Sequence, residues 1–189
     1  YKRLFFVTQY FPPDYASTGQ LIKELISNLN YKRTIVYTGM PSYAINNNSL
    51  KKSFKKIKNA KICRTNITNF WPKKFYGRII NSFLFTINCL IKLSLSLRKN
   101  DVVIFTSEPP FLYCISWLIK IFKNTKHILI IFDIYPELLT KISFLKNEGC
   151  VVKFWNFLNK LSFDSSDEII VLNSEMKRKL LSLYRISPN

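Results

Sequence analysis

The side chains best suited to chemistry in this 189-residue chain are two carboxylates and one short polar turn. Asp133 stands in "FDIYPE" and Glu108 in "TSEPPF", each at the end of an apolar run. The turn is "ASTGQ", where Ser17, Thr18, Gly19 and Gln20 open a helical pattern after "LFFVTQY" and two prolines. A carboxylate at such a junction can hold or move a proton. A helix start offers N–H groups and a dipole to an anion. Other chemistries are excluded by what is scarce. His127 is the only histidine, so a two-histidine metal site cannot form. Cys63, Cys89, Cys114 and Cys150 lie far apart with no Cys-x-x-Cys pair, and read as reduced thiols. With 4 glycines there is neither a P-loop nor a G-x-G-x-x-G fingerprint.

The elements that must position these residues are legible in the hydropathy pattern. Apolar runs with β-branched or aromatic character recur at Leu4–Tyr10, Thr34–Thr38, Lys61–Thr65, Val102–Thr106, Ile128–Phe132 and Glu168–Leu172. Helical patterns cover Ser17–Leu29, Phe75–Leu97, Pro110–Phe122, Val151–Phe163 and Ser174–Tyr184. Near-continuous apolar strands alternating with helices predict an α/β fold, a doubly wound parallel sheet covered on both faces. The length suits one such domain over residues 1–189.

In that fold, ligands bind outside the carboxyl ends of the strands. The loops there read "FPPDYASTGQ", "GMPSY", "TSEPPF", "DIYPE" and "NSE". Ser17 and Gln20 form a capping-box pattern, and Pro109 or Pro110 suits a first helical turn. "NSE" starts like an N-cap, with Asn173 in the capping position. His127 precedes its strand and so belongs to the opposite edge.

The net charge is +18. So basic a balance implies an anionic partner, although an AT-rich coding sequence would also enrich lysine. Hydrophobic residues make up 48% of the chain, which predicts folding rather than disorder. The charge-free stretch between Arg78 and Lys92 is shorter than the ~20 residues of a spanning helix, so it is not expected to cross a membrane. The first apolar run meets Pro-Pro rather than a cleavage site, so it is not expected to be a leader.

The segments "VTQYFPPDYASTGQLIKEL", "VYTGMPSY", "VIFTSEPPF", "FDIYPE" and "EIIVLNSEMKRKLL" stand in an order and spacing that resembles the amino-terminal half of family-4 retaining glycosyltransferases. The likeness is to the exopolysaccharide and colanic-acid type with its Asp-(Leu/Ile)-(Trp/Tyr)-Pro-Glu motif, and it covers nearly the whole chain. The resemblance implies one Rossmann-like half of a two-domain GT-B architecture. This half binds the acceptor, and a carboxyl-terminal donor domain outside this chain binds most of the nucleotide sugar. Many relatives carry a Gly-Gly pair in the first loop, whereas Gly19 stands alone here.

The resemblance further implies a role for each residue. Asp133 would orient the acceptor hydroxyl or support charge developing at the sugar, with Glu108 as the second catalytic candidate. Ser17, Thr18, Gly19 and Gln20 would face the donor diphosphate, and backbone N–H groups would meet its charge without a metal or other cofactor. Asp14, Tyr15, Ser107, Tyr135, Glu137 and Asn173 would surround the acceptor. Alternatives read from the residues themselves are an N-cap for Asp133 and a first-turn position for Glu108.

Acceptors of such enzymes are commonly sugars on a membrane polyprenyl diphosphate, which implies a cytoplasmic protein peripheral to the membrane. In "LKKSFKKIKNAK", Lys51, Lys52, Lys55 and Lys56 would face an anionic leaflet, at about 1 kcal/mol each. The pattern at Tyr76, Ile80, Phe83, Ile87 and Leu90 fits either a membrane-facing helix or one packed on the sheet. A nucleic-acid-binding protein would use the same charge, with Trp71, Phe75 and Tyr76 stacking beside Lys73 and Lys74. No helix-turn-helix, zinc or RNP-like signature supports it, so nucleic acid is not an expected partner. An inactive remnant, or a split subunit needing a carboxyl-terminal partner, is the third reading.

Overall fold

A computed structural model describes residues 2–29, 31, 33–41, 60–66, 75–147 and 149–186. In chain order it contains β1 (Leu4–Val7), α1 (Ser17–Asn28), β2 (Thr34–Gly39), β3 (Ala60–Thr65), α2 (Phe75–Ser96) and β4 (Val102–Thr106). There follow a 3-10 turn (Tyr113–Ile115), α3 (Ser116–Lys123), β5 (Lys126–Ile131), α4 (Glu137–Lys141), α5 (Cys150–Ser165), β6 (Glu168–Val171) and α6 (Ser174–Tyr184).

All the strands pair in parallel, in the order β3-β2-β1-β4-β5-β6. This is the Rossmann-like, doubly wound α/β fold that the pattern predicts, and it is consistent with one half of a GT-B enzyme. Phe5 of β1 lies beside Ile35 on one flank and Val103 on the other. Between β1 and β4 the chain reverses its direction of travel across the sheet, which opens a crevice at their carboxyl ends.

Alternation along the strands sorts side chains into two layers. Phe5, Val7, Val103, Phe105, Leu129 and Ile131 join one core with Phe85 and Leu93 of α2, Ile119 of α3, Trp155 of α5 and Leu180 of α6. Phe6, Val36, Ile104 and Ile130 form the other, under Ile22 and Ile26 of α1. At the amino edge Arg3 ties β1 to β4 through Asp101 (Nη2–Oδ2 2.5 Å, Nε–Oδ1 3.2 Å).

Three local expectations are corrected. The capping box does not form: α1 starts after Ala16 with no side-chain cap, because the Gln20 amide donates instead to the Asp14 carbonyl (2.9 Å). The helix expected from Pro110 begins only at Ser116, since two prolines lacking N–H donors leave a turn, closed by Leu112 N donating to Pro109 O (2.9 Å), and then the 3-10 turn. The third concerns α2. Its 22 residues extend past both Arg78 and Lys92, so it is long and apolar enough to cross a membrane. What keeps it on the sheet is its buried face, with Phe85 and Leu93 fully covered, rather than any shortness.

Candidate active site

The carboxyl ends of β1, β4 and β5 deliver three loops to the crevice, and hydrogen bonds between them fix its floor. Thr106, the last residue of β4, donates its hydroxyl to the Glu108 carbonyl (2.7 Å) and to Val7 O (3.3 Å). Gln9 N donates to the same Glu108 carbonyl (3.3 Å). The wholly buried Ser107 hydroxyl accepts from both Phe132 N (2.9 Å) and Asp133 N (3.1 Å). Ser107 thus aims the loop that carries Asp133.

On this floor stand the two carboxylates. Thr18, second residue of α1, donates its hydroxyl to Glu108 Oε2 (2.6 Å). Burial raises the Glu108 carboxyl above its ordinary pKa; the Thr18 bond opposes that rise and the nearby Asp133 charge adds to it. Burial also raises Asp133. Tyr135 is pushed up to about 12, by burial first and then by the charges of Asp133 and Glu108. Two half-buried carboxyls, both raised by burial and Glu108 further by the charge of Asp133, are poised to hold a proton more readily than carboxyls in water.

Both simpler roles fail for them. The short α4 is preceded by Pro136 with no side-chain cap, so Asp133 does not cap it. Glu108 precedes the 3-10 turn and α3, so it is not a first-turn residue of either. The helix start it meets is that of α1, which lies far away in sequence.

The other predicted residues divide by exposure. Tyr15 is 72% exposed at the rim, and Ser17 and Gln20 are exposed beside it. Thr18 and Gly19 are buried; a Cβ on Gly19 would stand 2.9 Å from the Tyr10 carbonyl, so the missing side chain lets α1 close on the strand end. Asp14 is 1% exposed, and its charge acts on the Arg64 guanidinium. Glu137 and Asn173 share with Asp133 a concavity of ≈ 210 Å³ that Lys179 also lines. Glu137 pairs with Lys179 and, at 3.9 Å, with Lys141. Asn173 caps α6 by accepting from Met176 N (2.8 Å).

Two supporting groups had no signal in the sequence. Arg64, at the end of β3, donates to Pro12 O (2.5 Å) and Gly39 O (3.0 Å), which clasps the first two loops. Asn159 of α5, wholly buried, donates to the Tyr135 carbonyl (2.6 Å) and to Tyr184 Oη (2.9 Å), while its Oδ1 accepts from Cys114 Sγ (3.1 Å). An isolated Asn in an amphipathic helix looks like any polar position.

His127 is the second residue of β5, at the amino edge, wholly buried with Nε2 2.8 Å from Thr125 Oγ1. A larger concavity of ≈ 520 Å³ borders β6, and no candidate residue lines it. Lys51, Lys52, Lys55 and Lys56, like Trp71, Lys73 and Lys74, lie outside the described residues. Among the described residues no three His, Cys, Asp or Glu side chains group as metal ligands would.

No protein-family model matches the chain. A comparison with curated proteins finds 26% identity over 101 residues to "Probable glycosyltransferase WbjE" of Pseudomonas aeruginosa, which covers 53% of this chain and 24% of that protein. The match therefore spans about a quarter of that relative's length.

Proposed function

We propose that this chain is the acceptor-side half of a retaining glycosyltransferase. It would take part in moving a sugar from a nucleotide-sugar donor to a lipid-linked or saccharide acceptor for a cell-surface polysaccharide, at the cytoplasmic face of the membrane. The observation that carries the reading is the meeting of Glu108 and Asp133 with the uncapped start of α1 at the switch point of the sheet. Its likeness to a glycosyltransferase over 101 residues supports the same class of reaction.

In this reading the first turn of α1 faces the donor diphosphate with its dipole and N–H groups. The departing phosphate oxygen takes the acceptor proton, so no strong protein base is required. Asp133 orients the acceptor hydroxyl and supports positive charge at the sugar carbon. Glu108, held by Thr18, fixes the local charge and the geometry of the loop. Tyr15, Glu137 and Asn173 border the acceptor, and a carboxyl-terminal domain supplies most of the contacts to the nucleotide.

The test uses the full-length protein containing these residues, with labelled nucleotide sugars and a polyprenyl-diphosphate-linked saccharide. Transfer of label to the lipid supports the reading. Hydrolysis of the donor without transfer, or no reaction across the common donors, would sink it. The 189-residue chain alone should bind nucleotide sugar poorly, and low-micromolar binding would show that the donor site is misassigned.

A further inference from the structure

One face of α2 is apolar and exposed. Tyr76, Ile80, Phe83, Ile87, Ile91 and Leu95 recur every three or four residues along it, each between 40% and 81% exposed. At 1.5 Å per residue this apolar stripe runs about 28 Å. Single exposed apolar residues are ordinary, whereas a continuous stripe of this length marks a contact surface. It continues on α3, which packs beside α2 in the same layer and leaves Ile121 and Phe122 69% and 68% exposed.

We infer that this stripe is a lipid-contact surface, on which α2 and α3 lie against an anionic bilayer. Charge selects that occupant. The two helices carry Arg78, Lys92, Lys120 and Lys123 and no Asp or Glu, although Lys120 pairs with Asp167. The whole chain is at +18. A second copy docked on the stripe would bring two strongly positive bodies together, and a nucleic acid would have no use for an apolar face. A bilayer with anionic headgroups satisfies both features at once.

The geometry is that of a helix lying on the membrane rather than crossing it. The reverse face of α2 buries Phe85, Cys89 and Leu93 in the core against the sheet, so threading the helix through a bilayer would strip that core. Near its amino end Ser82 donates to Gln9 Oε1 (3.2 Å), which places the start of the stripe next to the first loop of the candidate site. A headgroup-linked acceptor would then reach the crevice from the surface that holds the protein.

This inference deepens the transferase reading by naming the surface that meets the membrane, and its test reads binding alone, so either can fail without the other. The protein is sedimented with phosphatidylglycerol-rich vesicles and with phosphatidylcholine vesicles. Binding to the first, weaker binding to the second, and a loss of about tenfold or more in the Phe83→Ser/Ile87→Ser/Ile91→Ser variant are expected. Leu21→Ser/Leu25→Ser, on exposed positions of α1 across the sheet, should bind as the unaltered protein does. Unchanged binding by the triple variant, equal loss in the α1 variant, or equal binding to both vesicles would overturn the inference. So would a dimer in free solution that the triple variant dissociates. If the triple variant does not melt cooperatively, single Phe83→Ser, with a severalfold loss expected, decides in its place.

Discussion

The hydroxyl of Thr18 donates to Oε2 of Glu108 across 2.6 Å, which joins the first turn of α1 to the loop after β4. This bond holds the Glu108 carboxyl down while burial and Asp133 push it up. In Thr18→Val it is gone, and the Glu108 pKa should rise further. A carbon-detected titration of the side-chain carboxyl reads the shift directly. An unmoved or lowered value would mean that Thr18 does not hold Glu108 in solution.

Asp133 caps no helix and forms no salt bridge among the described residues, so Asp133→Asn should fold normally. In the full-length protein it should lower transfer by about a hundredfold or more, the scale of losing a positioned acid or base. Wild-type melting with near-normal transfer would reduce Asp133 to a loop residue.

Gly19 sits within α1, where alanine would ordinarily gain about 1 kcal/mol in helix propensity. Here its Cβ would lie 2.9 Å from Tyr10 O and 3.2 Å from Phe11 Cα, backbone atoms that cannot step aside cheaply. Gly19→Ala should therefore destabilise by about 1–3 kcal/mol, the usual cost of overpacking. Urea unfolding gives the sign, and a more stable variant would show that α1 does not close so tightly.

Asn159 satisfies the Tyr135 carbonyl from below, so Asn159→Leu should cost about 2 kcal/mol for the polar partners that it abandons. The effect should spread to α4, where Leu138 N and Thr140 N bond to carbonyls of the same loop. Faster hydrogen exchange at those amides, with β1 unaffected, is the expected pattern. Uniform loosening would mean that Asn159 supports the core rather than the site loop.

Burial holds the His127 pKa down to about 4, and Lys120 adds to this while Asp167 opposes it. The unfolded chain takes up the proton more readily than the folded one. Stability is thus full above the unfolded pKa of about 6.5 and is lost as pH falls toward the folded value, by about 2 kcal/mol between about pH 7 and about pH 5. Asp133 and Glu108, with raised folded values, work in the opposite sense over the acid range. Chemical denaturation of wild type and His127→Leu at both pH values removes their contribution. Equal pH dependence in the two proteins would show that the histidine is hydrated.

The order of strands and helices, their parallel pairing and the edge at which polar loops gather were all legible in the sequence. Each rests on local hydropathy period and on turn chemistry, which neighbouring residues carry among themselves. The carboxyl-end placement of Asp133 and the amino-end placement of His127 followed from the same pattern. Helix starts were less legible, because competing hydrogen bonds within the same loop and prolines displaced the starts that the pattern assigns. Gln20 bonds to Asp14 O instead of closing a capping box, and the prolines after Glu108 delay α3.

Only the tertiary structure joined Thr18 to Glu108, at 90 residues' separation, and Asn159 to Tyr135. It also decided which side of α2 is core and which is exposed. Periodicity shows that a helix has apolar faces, but Phe85 and Phe83 are the same residue two positions apart. What separates them is the sheet, which packing over β1 and β2 brings to one side only.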